Sequence, residues 1–324
     1  MKIGTVGTNF IVDAFIEAAE KTGKAEIIAA YSRSPETAAA FAKKHGIPTA
    51  YSVREEFLND GDMDFIYVAA PNSLHYAWSR DALLAGRGVI CEKPFVSRTG
   101  ELEALIALAQ KKGLFLFEAL TVPHLPNFRL IREKLPLIGP VRFVQLNFSQ
   151  YSSRYDAFRA GKNPNLFNPG FSGGALMDLN YYNLSFVQRL FGNPREIRYF
   201  ANIAENGIDT SGLLVMRYGD FIAEAVAAKD SESGNFVRIQ GEGGHISAGP
   251  TVSNLREGFT LVTKAGTETF NEQDCANVLY YELLDFIADF ESGDRSRGDK
   301  PLADALDTAL LMDRARKDAG IVFG

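Results

Sequence analysis

The stretch that decides the fold is Ile3-Gly4-Thr5-Val6-Gly7-Thr8-Asn9-Phe10-Ile11-Val12. A short apolar run able to form a buried strand passes through a glycine into a segment whose apolar residues, Ile11, Ala14, Phe15, Ala18 and Ala19, recur at helical spacing. A helix that starts this way offers unpaired backbone N–H groups and a positive dipole end, and a glycine in the turn lets a phosphate come close. Laid on the G-x-G-x-x-G template, the stretch keeps only Gly7, because Asn9 takes the second glycine position and Val12 the third. Asn tolerates positive φ better than other non-glycine residues, so the turn is expected to survive. Val12 implies a slightly wider fit of helix to strand. These residues alone leave two readings open, a phosphate cradle and a tight turn that binds nothing.

Outward from this unit, further apolar runs at Glu26 to Tyr31, Phe65 to Ala69, Gly88 to Cys91 and Leu114 to Phe117 alternate with helical patterns, as βαβ units of a buried parallel sheet do. From about residue 121 the pattern changes. Val141 to Gln150, Ile197 to Ile203, Leu213 to Tyr218, Ala223 to Ala228 and Asn235 to Gln240 follow one another across short polar turns, which favours antiparallel pairing. Helical patterns occupy Ala175 to Phe191, Val278 to Phe290 and Leu302 to Asp318. The expected fold class is therefore α/β, with a Rossmann-type parallel-sheet domain over residues 1–120. An α+β domain with a large, mainly antiparallel open sheet is expected over 121–324.

The 324 residues suit two domains on a scale of roughly 150 residues each, and 46% hydrophobic with 23% charged residues is an ordinary globular composition. A net charge of -6 provides no basic footprint for nucleic acid or anionic lipid, so the expected partner is a small molecule. Cys91 and Cys275 cannot build a disulfide framework, and Met1 runs into the first strand without a leader pattern or a membrane-length apolar run. A cytoplasmic protein is expected. His124 and His245 have no metal-ligand spacing with other Cys, His or Asp residues, so no metal is expected.

If the turn holds NAD, the second strand should end in an acid that accepts from the ribose 2′-OH. It ends instead in Tyr31-Ser32-Arg33-Ser34, and a hydroxyl followed by a guanidinium suits the 2′-phosphate of NADP. NADP is the expected cofactor, with NAD possible. The missing acid also weakens a methyltransferase reading.

Two more strings lie at strand carboxyl ends, Ala70-Pro71-Asn72-Ser73-Leu74-His75 and Cys91-Glu92-Lys93-Pro94, and a third, Gly173-Gly174-Ala175-Leu176-Met177-Asp178-Leu179-Asn180-Tyr181-Tyr182, lies in the second half. Together with the first turn and in this order they resemble the Gfo/Idh/MocA family of oxidoreductases, with the tyrosine variant similar to the glucose-fructose oxidoreductase and dihydrodiol dehydrogenase branches. The resemblance implies an NAD(P)-dependent dehydrogenase or reductase acting on CH–OH groups of a sugar, polyol or cyclic diol, assembled as a homodimer or higher homo-oligomer. It implies cofactor contacts at Gly7, Thr8, Asn9, Phe10, Ser32, Arg33, Ala70, Pro71, Asn72, His75, Glu92 and Lys93. It also implies a cis Lys93-Pro94 peptide.

The resemblance assigns catalysis to Lys93, Asp178 and Tyr182. The family commonly has Gly at the position of Asn180 and His at that of Tyr182, so histidine acid/base chemistry is not carried over. A phenol of ordinary pKa near 10 needs a cation to work near neutrality, a part that falls to Lys93. Asp178 and Tyr182 are four apart and share a helix face, while Tyr181 points about 100° away. Between Phe148 and Phe171 the aromatics Tyr151, Tyr155, Phe158 and Phe167 alternate with Arg154, Arg159 and Lys162, which suits either sugar binding or a core or dimer interface. The rival functional class is a dinucleotide-binding sensor without turnover.

Overall fold

The computed structural model describes residues 1–323. It divides into two compact units: Met1–Ala119 with Asn277–Leu306, and Leu120–Ala276 with the residues from Asp307 on.

In the first unit the chain runs β1 (Lys2–Val6), α1 (Phe10–Thr22), β2 (Glu26–Tyr31), α2 (Pro35–His45), β3 (Thr49–Tyr51) and α3 (Arg54–Leu58). It continues through β4 (Phe65–Val68), α4 (His75–Leu84), β5 (Gly88–Glu92), α5 (Thr99–Lys112) and β6 (Leu116–Ala119). All six strands are parallel, in the order β3-β2-β1-β4-β5-β6. The order reverses between β1 and β4, which opens a crevice at the strands' carboxyl ends where such sheets bind ligands. The helices start and stop for local reasons. Ser34 accepts from the Thr37 N–H to cap α2, and α1 and α2 end in left-handed Gly23 and Gly46. One face of the sheet is sealed by aromatic packing, with Phe15 stacked on Tyr67 at 3.8 Å and Phe117 on Phe286 at 4.7 Å.

The second unit contains α6 (Pro126–Lys134), β7 (Val141–Ser149), α7 (Tyr155–Arg159) and a π-helical turn over Leu176–Asn180 that leads directly into α8 (Tyr181–Phe191). Then come β8 (Glu196–Ile203), β9 (Asp209–Arg217), β10 (Ile222–Ala228), β11 (Phe236–Gly241), β12 (Gly244–Ala248), β13 (Phe259–Thr263) and β14 (Gly266–Phe270). They form one eight-stranded sheet, β14-β13-β12-β11-β7-β10-β9-β8, antiparallel except where β7 meets β10. The expected fold class is borne out.

Three strands, β12, β13 and β14, extend the sheet beyond those expected, and β3 adds an edge to the parallel sheet. The two compact units are not contiguous in sequence. After β14 the chain enters α9 (Leu279–Ser292) and α10 (Asp299–Asp318), and Asn277–Leu306 rejoins the first unit. The reason is burial: Leu279, Leu283, Phe286 and Ile287 of α9 complete the apolar cluster built by β1, α1 and β4.

The expected continuous helix from Ala175 also begins differently, with a π turn. Its start is fixed by the buried Asp209, whose Oδ2 accepts from the Leu176 N–H at 2.6 Å and from the Tyr199 hydroxyl at 2.7 Å. Gly174, at φ +102°, makes room for this carboxylate, since a Cβ there would lie 2.0 Å from Asp209 Oδ1. Gly174→Ala is expected to cost about 3 kcal/mol through strain and displacement of Asp209. Gly61→Ala, where a Cβ meets nothing within 4 Å, should cost less than about 0.5 kcal/mol. Chemical denaturation of the two variants checks the contrast.

Candidate active site

In the first unit, the β1–α1 turn is a cradle. Gly7 has φ +112°, and a Cβ on it would come within 2.7 Å of the Ala69 carbonyl oxygen, so no side chain fits between the turn and the end of β4. Asn9 works differently from expectation. Its φ is -91°, extended rather than left-handed, and its side chain does the holding: Oδ1 accepts from the Ile11 N–H at 3.0 Å while Nδ2 donates to the Ala69 carbonyl at 3.0 Å. Asn9 therefore caps α1 and clamps the turn to β4. Val12 is wholly buried beneath it, so the wider fit expected at this position is filled by the valine side chain. None of the described hydrogen bonds uses the backbone N–H groups of Thr8, Asn9 or Phe10, which head α1. Phe10 is 78% exposed beside them. This geometry fits a dinucleotide pyrophosphate.

At the end of β2, the Ser32 N–H is held by the Tyr51 carbonyl, and Arg33 is exposed and takes part in no ion pair among the described residues. Nothing acidic occupies the place where NAD-specific sites put a carboxylate.

At the ends of β4 and β5, Ala70, Pro71 and Asn72 are half-buried and a short 3₁₀ turn carries Asn72–Leu74. His75 is buried, and both its ring nitrogens face carbonyls, Nδ1 that of Pro94 and Nε2 that of Ala70, each at 2.8 Å. It thus acts as a brace between the two strand ends that carry the motifs. Burial pulls its pKa down, opposed by those two carbonyls, and the nearby Lys93 charge lowers it further. The Lys93-Pro94 peptide is cis, as the motif implied, and Lys93 is half-buried. Glu92 is buried and accepts from the Tyr67 hydroxyl at 2.6 Å. Burial pushes its carboxyl up to about 7, against the pull of Tyr67 and Lys93.

In the second unit, Tyr182 is half-buried with its ring 6.1 Å from that of Phe148, while Tyr181 is sunk in the core at 2% exposure. The wider π turn advances less per residue than the 100° of an α-helix, so the step from Asp178 to Tyr182 comes closer to one full turn. Asp178 is ion-paired with Lys229, which sequence reasoning missed. The signal was available: Lys229 ends the apolar run Ala225–Ala228, the same setting that singled out Lys93. Asp209 and Glu282 were missed as well. Of the aromatics before this helix, Tyr155, Phe158 and Phe167 pack on one another, with Phe158 and Phe167 stacked at 4.9 Å, which makes them local core. Among the described residues no group of three or more His, Cys, Asp or Glu could hold a metal ion.

Residues 1–120 match the model for an oxidoreductase family with an NAD-binding Rossmann fold, and residues 131–247 that for the GFO/IDH/MocA C-terminal domain. The chain belongs to the Gfo/Idh/MocA family. Among curated relatives of this family it is 36% identical over 324 residues to the uncharacterized oxidoreductase YgjR of Escherichia coli, covering 100% of this chain and 98% of that one. It is 34% identical over 323 residues to the NADP+-dependent scyllo-inositol 2-dehydrogenase IolU of Bacillus subtilis, with the same coverage. A crystal structure of KijD10, a 3-ketoreductase from Actinomadura kijaniata with NADP and TDP-benzene, superposes with TM-score 0.86 at 21% identity over 100% of this chain and 99% of the other. As a Gfo/Idh/MocA member the chain is an NAD(P)-dependent oxidoreductase.

The first unit also contains Glu282 of α9, fully buried with neither carboxyl oxygen hydrogen-bonded. Burial, reinforced by Glu92 and Glu118, holds its pKa well above the ordinary carboxyl value. The folded state keeps a proton that the unfolded chain releases above a pH of about 4.3, so Glu282 costs stability increasingly as pH rises. Glu282→Gln is expected to raise the melting temperature at about pH 8 and leave it almost unchanged at about pH 5. Equal shifts in thermal scans at the two pH values would reject this.

Proposed function

We propose that the chain transfers hydride reversibly between NADP+ and a ring carbinol of a polyol or sugar, with NAD+ the poorer cofactor. The observation that carries the substrate class is the full-length likeness to the scyllo-inositol 2-dehydrogenase. When bound, the nicotinamide supplies the hydride acceptor and donor. The backbone N–H groups of Thr8, Asn9 and Phe10 hold the pyrophosphate beside Gly7, Ser32 and Arg33 hold the 2′-phosphate, and Ala70, Pro71, Asn72 and Glu92 line the nicotinamide side. His75 braces that lining from below.

Lys93 holds the substrate oxygen and stabilises it as an alkoxide, Tyr182 takes or returns its proton, and Asp178 orients the proton transfer. The greater exposure of Tyr182 compared with the buried Tyr181 supports this choice of phenol. Phe200, Ile203 and Ile222 are exposed on the eight-stranded sheet, which supports a homodimer or higher oligomer formed through that face. A buried Cys91 thiol, and no helix among the described residues long and apolar enough to cross a membrane, fit a cytoplasmic enzyme.

The purified chain is tested with NADP+ and NAD+ against scyllo-inositol, D-xylose and trans-1,2-dihydrobenzene-1,2-diol, and in reverse against the corresponding carbonyls. Turnover of at least one is expected; tight NADPH binding with no turnover in either direction would identify a sensor instead. In fluorescence titrations NADPH should bind more tightly than NADH, and Arg33→Ala should weaken NADPH binding by about 1.5 to 3 kcal/mol with little effect on NADH. Tyr182→Phe should lower kcat by about 10² to 10⁴ with cofactor affinity retained, whereas Tyr181→Phe should do much less. A Tyr182→Phe enzyme with wild-type turnover would remove the phenol from the mechanism.

A further inference from the structure

We propose that Lys229 is a positioning residue for the reaction, anchoring Asp178 at the place where it serves Tyr182; this rests on the reading of Asp178 and Tyr182 given above. Lys229 directly follows β10, and its backbone is clamped on both sides. Its N–H donates to the Thr210 carbonyl at 2.8 Å, and its carbonyl accepts from the Ser152 N–H at 2.9 Å. The side chain then runs through the protein interior to donate its ammonium to Asp178 Oδ2. A charge this far from water is costly without an opposite charge beside it.

The charged and titratable neighbours narrow that anion to Asp178. Asp230, next in the chain, has its Oδ2 taken by the hydroxyls of Thr210 and Ser211 at 2.7 and 2.9 Å. Asp209 feels the Lys229 charge, but its hydrogen bonds go to Leu176 and Tyr199.

The pair is also asymmetric. The Lys229 side chain is 5% exposed and that of Asp178 25%, so a dry, immobile cation holds a carboxylate at an accessible surface one turn from Tyr182. A carboxylate facing solvent alone would lose its orientation, while this one has one oxygen held by the Lys229 ammonium.

The test uses the full-length enzyme with NADP+ and scyllo-inositol, or the best substrate of the panel above. Lys229→Met should lower kcat by about 10- to 100-fold with KM changed less than about threefold. It should also move the acid limb of the kcat/KM pH profile upward, because Asp178 loses the cation that favours its charged form. Lys229→Arg should recover most of the turnover. The double variant Lys229→Met/Asp178→Asn should be no slower than Asp178→Asn alone, because both changes break one unit. The neutral double variant also avoids an unpaired buried charge, and so decides the matter if Lys229→Met does not fold.

Wild-type kcat and pH profile in Lys229→Met, with Asp178→Asn impaired, would overturn this inference and leave the catalytic reading intact. So would a double variant more than about threefold slower than Asp178→Asn. Full activity in both Asp178→Asn and Tyr182→Phe would instead overturn the catalytic reading itself.

Discussion

The Asp209 carboxylate lies wholly out of water, its Oδ1 without a hydrogen-bond partner, and the two donors to its Oδ2 mark where the helix bearing Asp178 and Tyr182 begins. A buried carboxylate without donors is untenable, so the Leu176 N–H and the Tyr199 hydroxyl are drawn to one oxygen. An acid at a helix start is also favoured by the exposed N–H dipoles there. Because the carboxylate stands so close to the chain, Gly174 must lack a side chain. The Gly-Gly-Ala-Leu-Met-Asp string is thus a packing requirement.

In the first unit the corresponding task falls to His75. It stands between two carbonyls at the ends of β4 and β5, and a neutral imidazole has a single N–H to give them. Burial opposes the cation that could donate to both, and Lys93 opposes it further. Which carbonyl receives that N–H depends on the tautomer, and the ring stands 2.8 Å from both. Its value lies in registering two loops that the sheet alone leaves independent.

Much of this was legible in the sequence, because buried parallel strands and amphipathic helices write their periods directly. What escaped was of three kinds. The outer strands β12 to β14 and the edge strand β3 are short and half-exposed, so Gly266–Phe270 has no apolar face to announce it. The return of α9 to the first unit depends on which apolar surface its Leu279 and Phe286 find, a non-local matter. Asp209 and Lys229 lie 33 and 51 residues from their partners Leu176 and Asp178, so no spacing rule connects them. The motif residues Gly7, Lys93 and Asp178 were legible as a set. The way Asn9 replaces a glycine was not, since it works through two side-chain hydrogen bonds rather than through its backbone angle.

The two units handle buried charge in opposite ways. The first favours the protonated form of its buried carboxyls, raising Glu92 to about 7 and Glu282 well above the ordinary range, with the Tyr67 hydroxyl and the Lys93 backbone N–H as donors to Glu92. The second keeps Asp178 beside an ammonium, which requires the lysine to be desolvated and its rotamers frozen. Protonated buried acids draw the first unit's stability toward low pH, because each must surrender its proton or stay neutral against the solvent as pH rises. Of the two acids, Glu92, at about 7, is the one whose charge changes within the neutral range.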